Sequence, residues 1–482
     1  MRRRTRIVAT LGPATDPPEV MAAILAAGLD VARINFSHGK ADEHLDRIRR
    51  LREAAKVAKR NVAVLADLPG PKLRVLLPVA RPLVVGAEIS FSTGDKTIQP
   101  EDLTITEPEM LRDVRPGHRI LLDDGRLQLK ALRFDGERLI AEVVVGGDLK
   151  PNKGLNLPDT TLTVPALTAR DREAIAVAAN AQVDWLALSF VRGPEAATEL
   201  REEAKKHGYT GPILAKMERP EAVTRADAII AAFDAIMVAR GDLGVEIPLE
   251  RVPYAQKQLI ARARAQGKPV ITATDMLDSM RTNPRPTRAE ASDVANAIYD
   301  GTDAVMLSGE TAIGQYPIEA ISCMARIAVE TEAHLMKIGA TAQVALTEVS
   351  LSGNPIDDAF TTAAVRLAIE SQADAIITPT LSGRTARLLA RHRPICEIIA
   401  PAPSLTIVRQ MAMLWGTQPV LMPAGEGGDD RIQAAVKSSF DAGAVSVGQR
   451  VVVFAGHPIK GGNRFPTLRL VKVGDNGVSL TP

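Results

Sequence analysis

Aromatic residues make up only 3% of the 482 residues, too few for the stacking platforms that hold single-stranded bases or sugar rings. An excess of one charge is also missing: the formal net charge is +2, which gives no global field to attract nucleic acid. The two cysteines, Cys323 and Cys396, lie far apart and form neither a disulfide framework nor a metal cluster. They read as thiols of a reducing cytoplasm. The seven histidines show no His-x-x-x-His or Cys/His ligand spacing, which speaks against zinc. No apolar run approaches the roughly 18 residues of a membrane span, and the basic start MRRRTRIVATLGPATD lacks the apolar stretch of a signal peptide. The expectation is a cytoplasmic protein with no membrane or nucleic-acid partner.

What is present is an ordinary globular composition, 46% hydrophobic and 24% charged, in a chain long enough for two to four domains. Short apolar runs alternate with helical patterns: strand Arg6 to Thr10, helix Pro17 to Ala27, strand Val31 to Ile34, helix Ala41 to Lys59, strand Val62 to Ala66. From about Val75 to Val164 the rhythm gives way to β-branched residues and turn dipeptides such as Asp124-Gly125 and Asp135-Gly136, the mark of an all-β insertion. After Pro165 the alternation resumes. Its strands are Trp185 to Leu188, Ile213 to Lys216, Ile236 to Ala239, Pro269 to Thr272 and Ala304 to Leu307, with a helix after each, among them Pro220 to Ala232. Together these make about eight βα units, the number that closes a parallel barrel. A doubly wound open sheet is the second choice, weakened because no G-x-G-x-x-G follows the first strand. Beyond a polar linker near Gly339, a third unit from Asn354 to Pro482 alternates again. Helix Asp358 to Gln372 and strand Ala375 to Thr378 open it, helix Ser404 to Leu414 follows, and a strand pair near Val451 to Ala455 and Leu468 to Val473 closes it.

The chemistry sits at the ends of the barrel strands. IMVARGDLGVEIP runs from a buried strand into Arg240, Gly241 and Asp242, and ILAKME ends in Lys216 and Glu218. Other tips carry Arg33, Asn35, Ser37 and His38, then Asp67, Thr274 and Ser308. Ligands of parallel α/β folds bind at that edge. Glu218 and Asp242 are hard oxygen donors suited to Mg²⁺, and Arg33 and Lys216 suit a phosphate. Two cations beside a divalent metal meet the needs of phosphoryl transfer, which rests on position and electrostatics. Surface salt bridges would be the alternative for one such tip. In the third unit Thr380, Ser382, Gly383, Arg384 and Thr385 form either a phosphate cradle or a plain helix cap.

The stretches RIVATLGPAT, DVARINFSHGKADEH, KGLNLP, DWLALSFVR, ILAKMERPEAV, IMVARGDLGVEIP, PVITATDMLDSM and NPRPTRAEASDVANAIYDGTDAVMLSGETAIGQYP together resemble the pyruvate kinase family over essentially the whole chain. The resemblance implies a (β/α)8 TIM barrel from 1–70 and 165–338, a small β-barrel lid inserted at 71–164, and a C-terminal α/β regulatory domain at 339–482. It implies transfer of a phosphoryl group from phosphoenolpyruvate to ADP, the last step of glycolysis. Lys216 and Arg33 would hold the group in flight, and Glu218 and Asp242 would hold Mg²⁺, with Mn²⁺ as a substitute. Ala239, Arg240 and Gly241 would shape the substrate pocket, and Thr274 with Ser308 would serve the protonation of the enolate. Arg33, His38, Arg74 and Lys153 would face the nucleotide. A homo-oligomer is implied, a tetramer in preference to a dimer.

Three departures matter. Relatives carry D-T-K-G-P-E-I-R at the third strand, where Asn35, Ser37, Asp67 and the carbonyl of Leu68 would bind K⁺. Here the run is DLPGPKLR, with Lys72 in place of the glutamate, so an internal ammonium is expected to replace K⁺. Asp275 stands where relatives have glutamine. The closing segment GHPIKGGNRFPTLRL lacks the G-x-T-N loop, which leaves a sugar-phosphate or nucleotide effector at Ser382 to Thr385, or none. A metal-dependent lyase on a similar barrel is the competing enzyme, and it would not need Lys216, Arg74 or Lys153.

Overall fold

Eight short strands of small and branched apolar residues, buried on both faces, leave a parallel closed sheet as the arrangement that satisfies every backbone group. A computed structural model describes residues 2–94, 101–163, 165–338, 353–423, 429–458 and 464–481. Its barrel strands are β1 (Arg6–Thr10), β2 (Val31–Asn35), β3 (Ala63–Asp67), β4 (Trp185–Leu188), β5 (Ile213–Met217), β6 (Ala235–Ala239), β7 (Val270–Ala273) and β8 (Ala304–Leu307). Each pairs in parallel with its sequence neighbours, and β1 closes on β8. Val8, Leu65, Leu214, Met237, Ile271 and Met306 fill the interior. Alternate residues face outward onto the helices and form the largest core.

The entry end of the barrel carries a repeated device. The residue before each even strand is an aspartate whose Oδ2 accepts the amide of the preceding odd strand. Asp30 takes Ile7 at 2.9 Å, Asp184 takes Val64 at 2.7 Å, Asp234 takes Ile213 at 3.0 Å and Asp303 takes Val270 at 3.0 Å. Every one also meets an arginine: Arg3, Arg52, Arg201 and Arg393 respectively. An amide at the first or second position of each odd strand would otherwise be buried without a partner, so the carboxylates close the ladder where its stagger leaves a gap.

Between β3 and β4 the chain folds a five-stranded antiparallel sheet in the order Leu155–Asn156, Arg119–Leu122, Leu127–Asp135, Arg138–Val145, Glu88–Ser92, with two short ladders beside it. Its core, around Phe91, Leu111, Ile120 and Leu129, is separate from that of the barrel. The C-terminal unit forms a six-stranded sheet of β9 (Ala375–Ile377), β10 (Glu397–Ala402), β11 (Thr417–Leu421), β12 (Arg450–Pro458), β13 (Arg464–Val473) and β14 (Ser479–Leu480). Its order is β11-β10-β9-β12-β13-β14, parallel through β12 and antiparallel after it. The unit seats itself on the barrel floor. Ala412 and Met413 join the interior cluster of the barrel, Trp185 Nε1 donates to Gln410 O at 3.1 Å, and Arg4 and Arg393 lie over the Trp415 ring.

Several elements differ from the expected ones. The helix expected over Pro220 to Ala232 breaks at Arg225 into Pro220–Thr224 and Ala226–Ala232. The one expected over Ser404 to Leu414 is Leu405–Gln410 followed by a 3-10 turn, Met411–Met413, which turns the apolar side chains into the barrel floor. Strand β11 carries Pro419 and escaped the sequence reading; it lies at the sheet edge, where proline is tolerated. Helix Asp429–Asp441 and β14 were also missed. The linker at 339–352 and residues 459–463 of the closing segment lie outside the described residues.

Candidate active site

At the opposite end of the barrel, the strand tips point charged side chains at one another. Lys216, next to last in β5, is enclosed: its Nζ donates to Ser189 Oγ at 2.8 Å and lies 2.9 Å from Glu218 Oε1 and 3.3 Å from Asp67 Oδ1. Burial disfavours the ammonium, but Asp67 and Glu218 outweigh burial and hold its pKa above that of an ordinary lysine. Arg33, at the middle of β2, donates from Nε to Asp67 Oδ2 at 2.6 Å and from NH1 to Thr10 Oγ1 at 2.9 Å. Buried Asp67 would titrate high, yet Lys216 and Arg33 keep it below the usual carboxylate range.

Glu218 is fully buried. Its Oε2 accepts the Phe190 amide at 2.7 Å, while Oε1 has the ion pair with Lys216 but, among the described residues, no hydrogen bond. Burial raises its pKa, with Lys216 opposing and Asp242 reinforcing the rise. Asp242 lies in the first turn of a short helix, Arg240–Glu246. This helix starts directly from β6, and Gly241 is required there because a Cβ would come within 2.5 Å of Thr274 Cγ2. Thr274 and Asp275, just past β7, both have positive φ, 76° and 54°. Non-glycine residues seldom adopt that backbone, and it sets the Thr274 side chain against Gly241.

Lys72 reaches into this cluster. Its Nζ donates to Asp242 Oδ1 at 3.1 Å, so its ammonium is anchored on the second of the paired carboxylates. The oxygens of the expected K⁺ position have partners of their own: Asn35 Oδ1 accepts the Ser37 amide at 3.1 Å, and the Leu68 carbonyl accepts Ser189 Oγ at 2.7 Å. His38 is pushed below its ordinary pKa by burial and then by Arg74, Arg170, Lys72 and Arg33, which places Arg33, His38 and Arg74 in one positive field. Lys153 stays within the insertion, paired with Asp123 at 2.6 Å. The Arg240 side chain forks onto Asp293, 2.6 Å from each oxygen, and also donates to the carbonyls of Ala273 and Thr274 at the tip of β7, at 3.1 and 2.8 Å. Ser308 is tied to its own loop, its amide donating to Glu310 Oε2 at 2.7 Å. In the C-terminal unit Thr380 Oγ1 accepts the Gly383 amide at 3.0 Å and Arg384 pairs with Asp357.

Three contributors escaped the sequence reading. Ser189 and Phe190 at the end of β4 hold Lys216 and Glu218, and Thr10 at the end of β1 holds Arg33. A hydroxyl residue closing an apolar run at the same height as the charged tips was the available signal. The cluster can bind an anion between Lys216 and Arg33 and offers two oxygen ligands beside it.

Residues 2–321 match the family described as "Pyruvate kinase, barrel domain", and residues 358–471 match "Pyruvate kinase, alpha/beta domain". The chain belongs to the pyruvate kinase family. The pyruvate kinase of Geobacillus stearothermophilus is 43% identical over 464 residues, covering 95% of this chain and 78% of that protein. That of Bacillus licheniformis is 41% identical over 462 residues, 94% and 78%. The pyruvate kinase of Staphylococcus aureus (strain MRSA252) is 40% identical over 482 residues, 98% and 81%. Membership makes the chain a phosphotransferase. No helix among the described residues is long and apolar enough to cross a membrane.

Proposed function

We propose that the strand-tip cluster transfers the phosphoryl group of phosphoenolpyruvate to ADP, giving pyruvate and ATP, and that it does so with Mg²⁺ in the cytoplasm as the last step of glycolysis. The observation that carries this reading is Lys216, an ammonium kept charged between Asp67 and Glu218 with the Arg33 guanidinium fixed beside it. Both cations would bind the phosphoryl oxygens and stabilise the charge that spreads over them during transfer. Prepaid positioning matters here: Ser189, Asp67 and Thr10 already fix the two side chains before substrate arrives.

The residues fit a divalent cation. Glu218 Oε1 is a buried carboxylate oxygen without a hydrogen bond, and the side chain of Asp242 is 31% exposed at the same edge. Bound there, Mg²⁺ or Mn²⁺ would neutralise charge on the transferring oxygens. Ala239, Arg240 and Gly241 would frame the substrate carboxylate with backbone, since the Arg240 side chain is committed to Asp293. Thr274, with Ser308 nearby on the next tip, would deliver a proton to the enolate carbon through its hydroxyl or a water. Arg33, His38 and Arg74 would meet the nucleotide phosphates, joined by Lys153 if the insertion closes as a lid. The domain limits 1–70 with 165–338, 71–164 and 339–482 belong to the same proposal, as does a homotetrameric assembly, which sedimentation tests.

The Lys72 ammonium supports independence from K⁺, because it adds a fixed positive charge to the site through Asp242. The decisive assay measures pyruvate formation from phosphoenolpyruvate and ADP with Mg²⁺, in buffer free of K⁺, Na⁺ and NH₄⁺. Full activity there, and K⁺-stimulated activity in Lys72→Met, supports both readings. Activity of the wild type only with K⁺ keeps the reaction and removes the role of Lys72, and silence in both buffers removes the reaction.

A further inference from the structure

The loop 36–39 leaves β2 and carries Ser37 and His38 along the barrel mouth, and the helix Ala41–Val57 follows it. The first turns of that helix bury a histidine, His44, which is 4% exposed and stands apart from the strand-tip cluster. The same face buries Ile48, Leu51 and Ala55, so packing alone would take an aliphatic residue there. Instead an imidazole is turned to the loop. Its ring centroid lies 4.5 Å from that of Phe36, the His38 backbone shares a hydrogen bond with it, and a Cβ on Gly39 would come within 3.1 Å of its Cε1. Gly39 also has a φ of 81°, so glycine is what lets the chain pass the ring.

Burial and then Arg47 lower the pKa of His44 below the ordinary 6.5, against the opposing pull of the His38 carbonyl, so the ring is neutral at neutral pH and has one proton to place. Among the described residues its Nδ1 is buried without a hydrogen-bond partner. The proton therefore sits on Nε2, which donates to the His38 carbonyl. Arg170, exposed at the start of helix Ala169–Asn180, holds the rest of the loop from the other side, donating to Ser37 O at 3.0 Å and Phe36 O at 3.4 Å. What the loop faces is positive: the charges acting most on the His38 imidazole are Arg74, Arg170, Lys72 and Arg33. A polyanion drawn into that field binds more tightly when the loop is already in place, because ordering it on binding is subtracted from affinity. A neutral donor at position 44 fixes the loop without adding to the charge around it.

We infer that His44 is a positioning residue for the nucleotide, bracing the loop 36–39 from its buried side so that His38 meets the phosphates of a nucleoside diphosphate in a place set before binding. This role rests on the nucleotide contacts proposed above. His44 touches no reacting atom; it acts through the His38 carbonyl, the Phe36 ring and the Gly39 backbone. Its loss should therefore weaken the nucleotide and spare both phosphoenolpyruvate and the phosphoryl transfer, which depend on Lys216 and Arg33 held by Ser189, Asp67 and Thr10.

Two variants of the full chain test it. His44→Phe keeps an aromatic ring against Phe36 and removes the donor, whereas His44→Gln loses the ring and keeps an N–H at the place of Nε2. Initial rates of pyruvate formation are measured against ADP and against phosphoenolpyruvate, and amide hydrogen exchange of residues 37–39 is measured without substrates. In His44→Phe the KM for ADP should rise about tenfold, with kcat and the KM for phosphoenolpyruvate within about twofold of the wild type. In His44→Gln the KM for ADP should stay within about threefold. Exchange at residues 37–39 should be about fivefold faster or more in His44→Phe alone. A role in packing would reverse the order of the two variants, and that result overturns the inference, as does an unchanged KM for ADP in His44→Phe or an equal rise for both substrates. Should His44→Phe fail to fold, His44→Met, also without a donor, takes its place. A wild type that forms no pyruvate overturns the reaction itself, whereas unaltered exchange in His44→Phe overturns the brace whatever the kinetic assay shows.

Discussion

The two ends of the barrel use buried charge in opposite ways. At the entry end, Asp30, Asp184, Asp234 and Asp303 each accept a strand amide and meet an arginine, so every carboxylate has its partners in the folded chain itself. At the exit end the arrangement is left incomplete. Glu218 Oε1 lacks a hydrogen bond, Asp242 is balanced by a lysine from the neighbouring insertion, and Thr274 and Asp275 hold strained backbone. Carboxylates closed by strand amides and arginines fasten the strands, whereas Glu218 Oε1 and Asp242, held by lysine ammonium groups, are available for a ligand. The difference explains how one closed sheet can be rigid at one end and reactive at the other.

The largest test of this contrast is Lys216→Met. Removing the ammonium from the exit end should lower turnover by about 10³-fold or more, a loss of roughly 4 kcal/mol in transition-state stabilisation, measured as kcat at saturating substrates. A variant that retained near-normal turnover would end the distinction between the two ends. Next comes Asp303→Ala at the entry end, which strands the Val270 amide and leaves the buried Arg393 charge with only the Ala390 and Gly301 carbonyls, in a site where both side chains are 6% exposed. It should destabilise the barrel by about 3–5 kcal/mol, seen as a lower urea midpoint, while kcat per folded molecule stays unchanged. A fall in kcat without a fall in stability would contradict the assignment.

A third variant sharpens the contrast at the boundary between barrel and insertion. Arg219, next to Glu218 in sequence, is almost wholly buried and donates to Glu246 Oε2 at 2.7 Å and to Thr160 O at 3.0 Å, and Glu246 also accepts Asn156 Nδ2 at 2.8 Å. The latch joins the insertion to both elements that carry Glu218 and Asp242. Arg219→Met should raise the KM for ADP roughly tenfold with a smaller change for phosphoenolpyruvate; equal changes for both substrates would point to simple loss of structure.

The smallest expected effect concerns His392 in the C-terminal unit. Burial, then the adjacent Arg391, push its imidazole down to about 3 from the ordinary 6.5. The folded chain refuses a proton that the unfolded chain accepts, so this contribution to stability is complete above pH 6.5 and is lost as pH falls toward 3. His392→Gln should remove about 1 kcal/mol of the stability difference between pH 7 and pH 5.5, read from urea midpoints at the two pH values. An unchanged acid slope would show that the imidazole does not titrate this way.

Much of the fold could be read from the chain because each barrel unit writes itself locally. A run of four or five apolar residues followed by an amphipathic helix has few other solutions, and β1, β4 and β8 fall on the residues where the pattern places them. Elements whose burial depends on another unit were harder. The turn Met411–Met413 reads as the end of a helix until the barrel floor gives its side chains a place, and β11 looks like a loop because Pro419 is acceptable only at an edge.

The site divides in the same way. The sequence by itself determined the identities and levels of Arg33, Asp67, Lys216, Glu218, Asp242 and Thr274, because a residue that ends a strand of a parallel barrel must lie at the exit rim. Only the tertiary structure decided which of them touch. Ser189, Phe190 and Thr10 come from strands distant in sequence, and Lys72 turned to Asp242 across 170 residues. Periodicity is a property of neighbours along the chain, whereas the pairing of a buried charge depends on whatever the closed fold brings within about 3 Å of it.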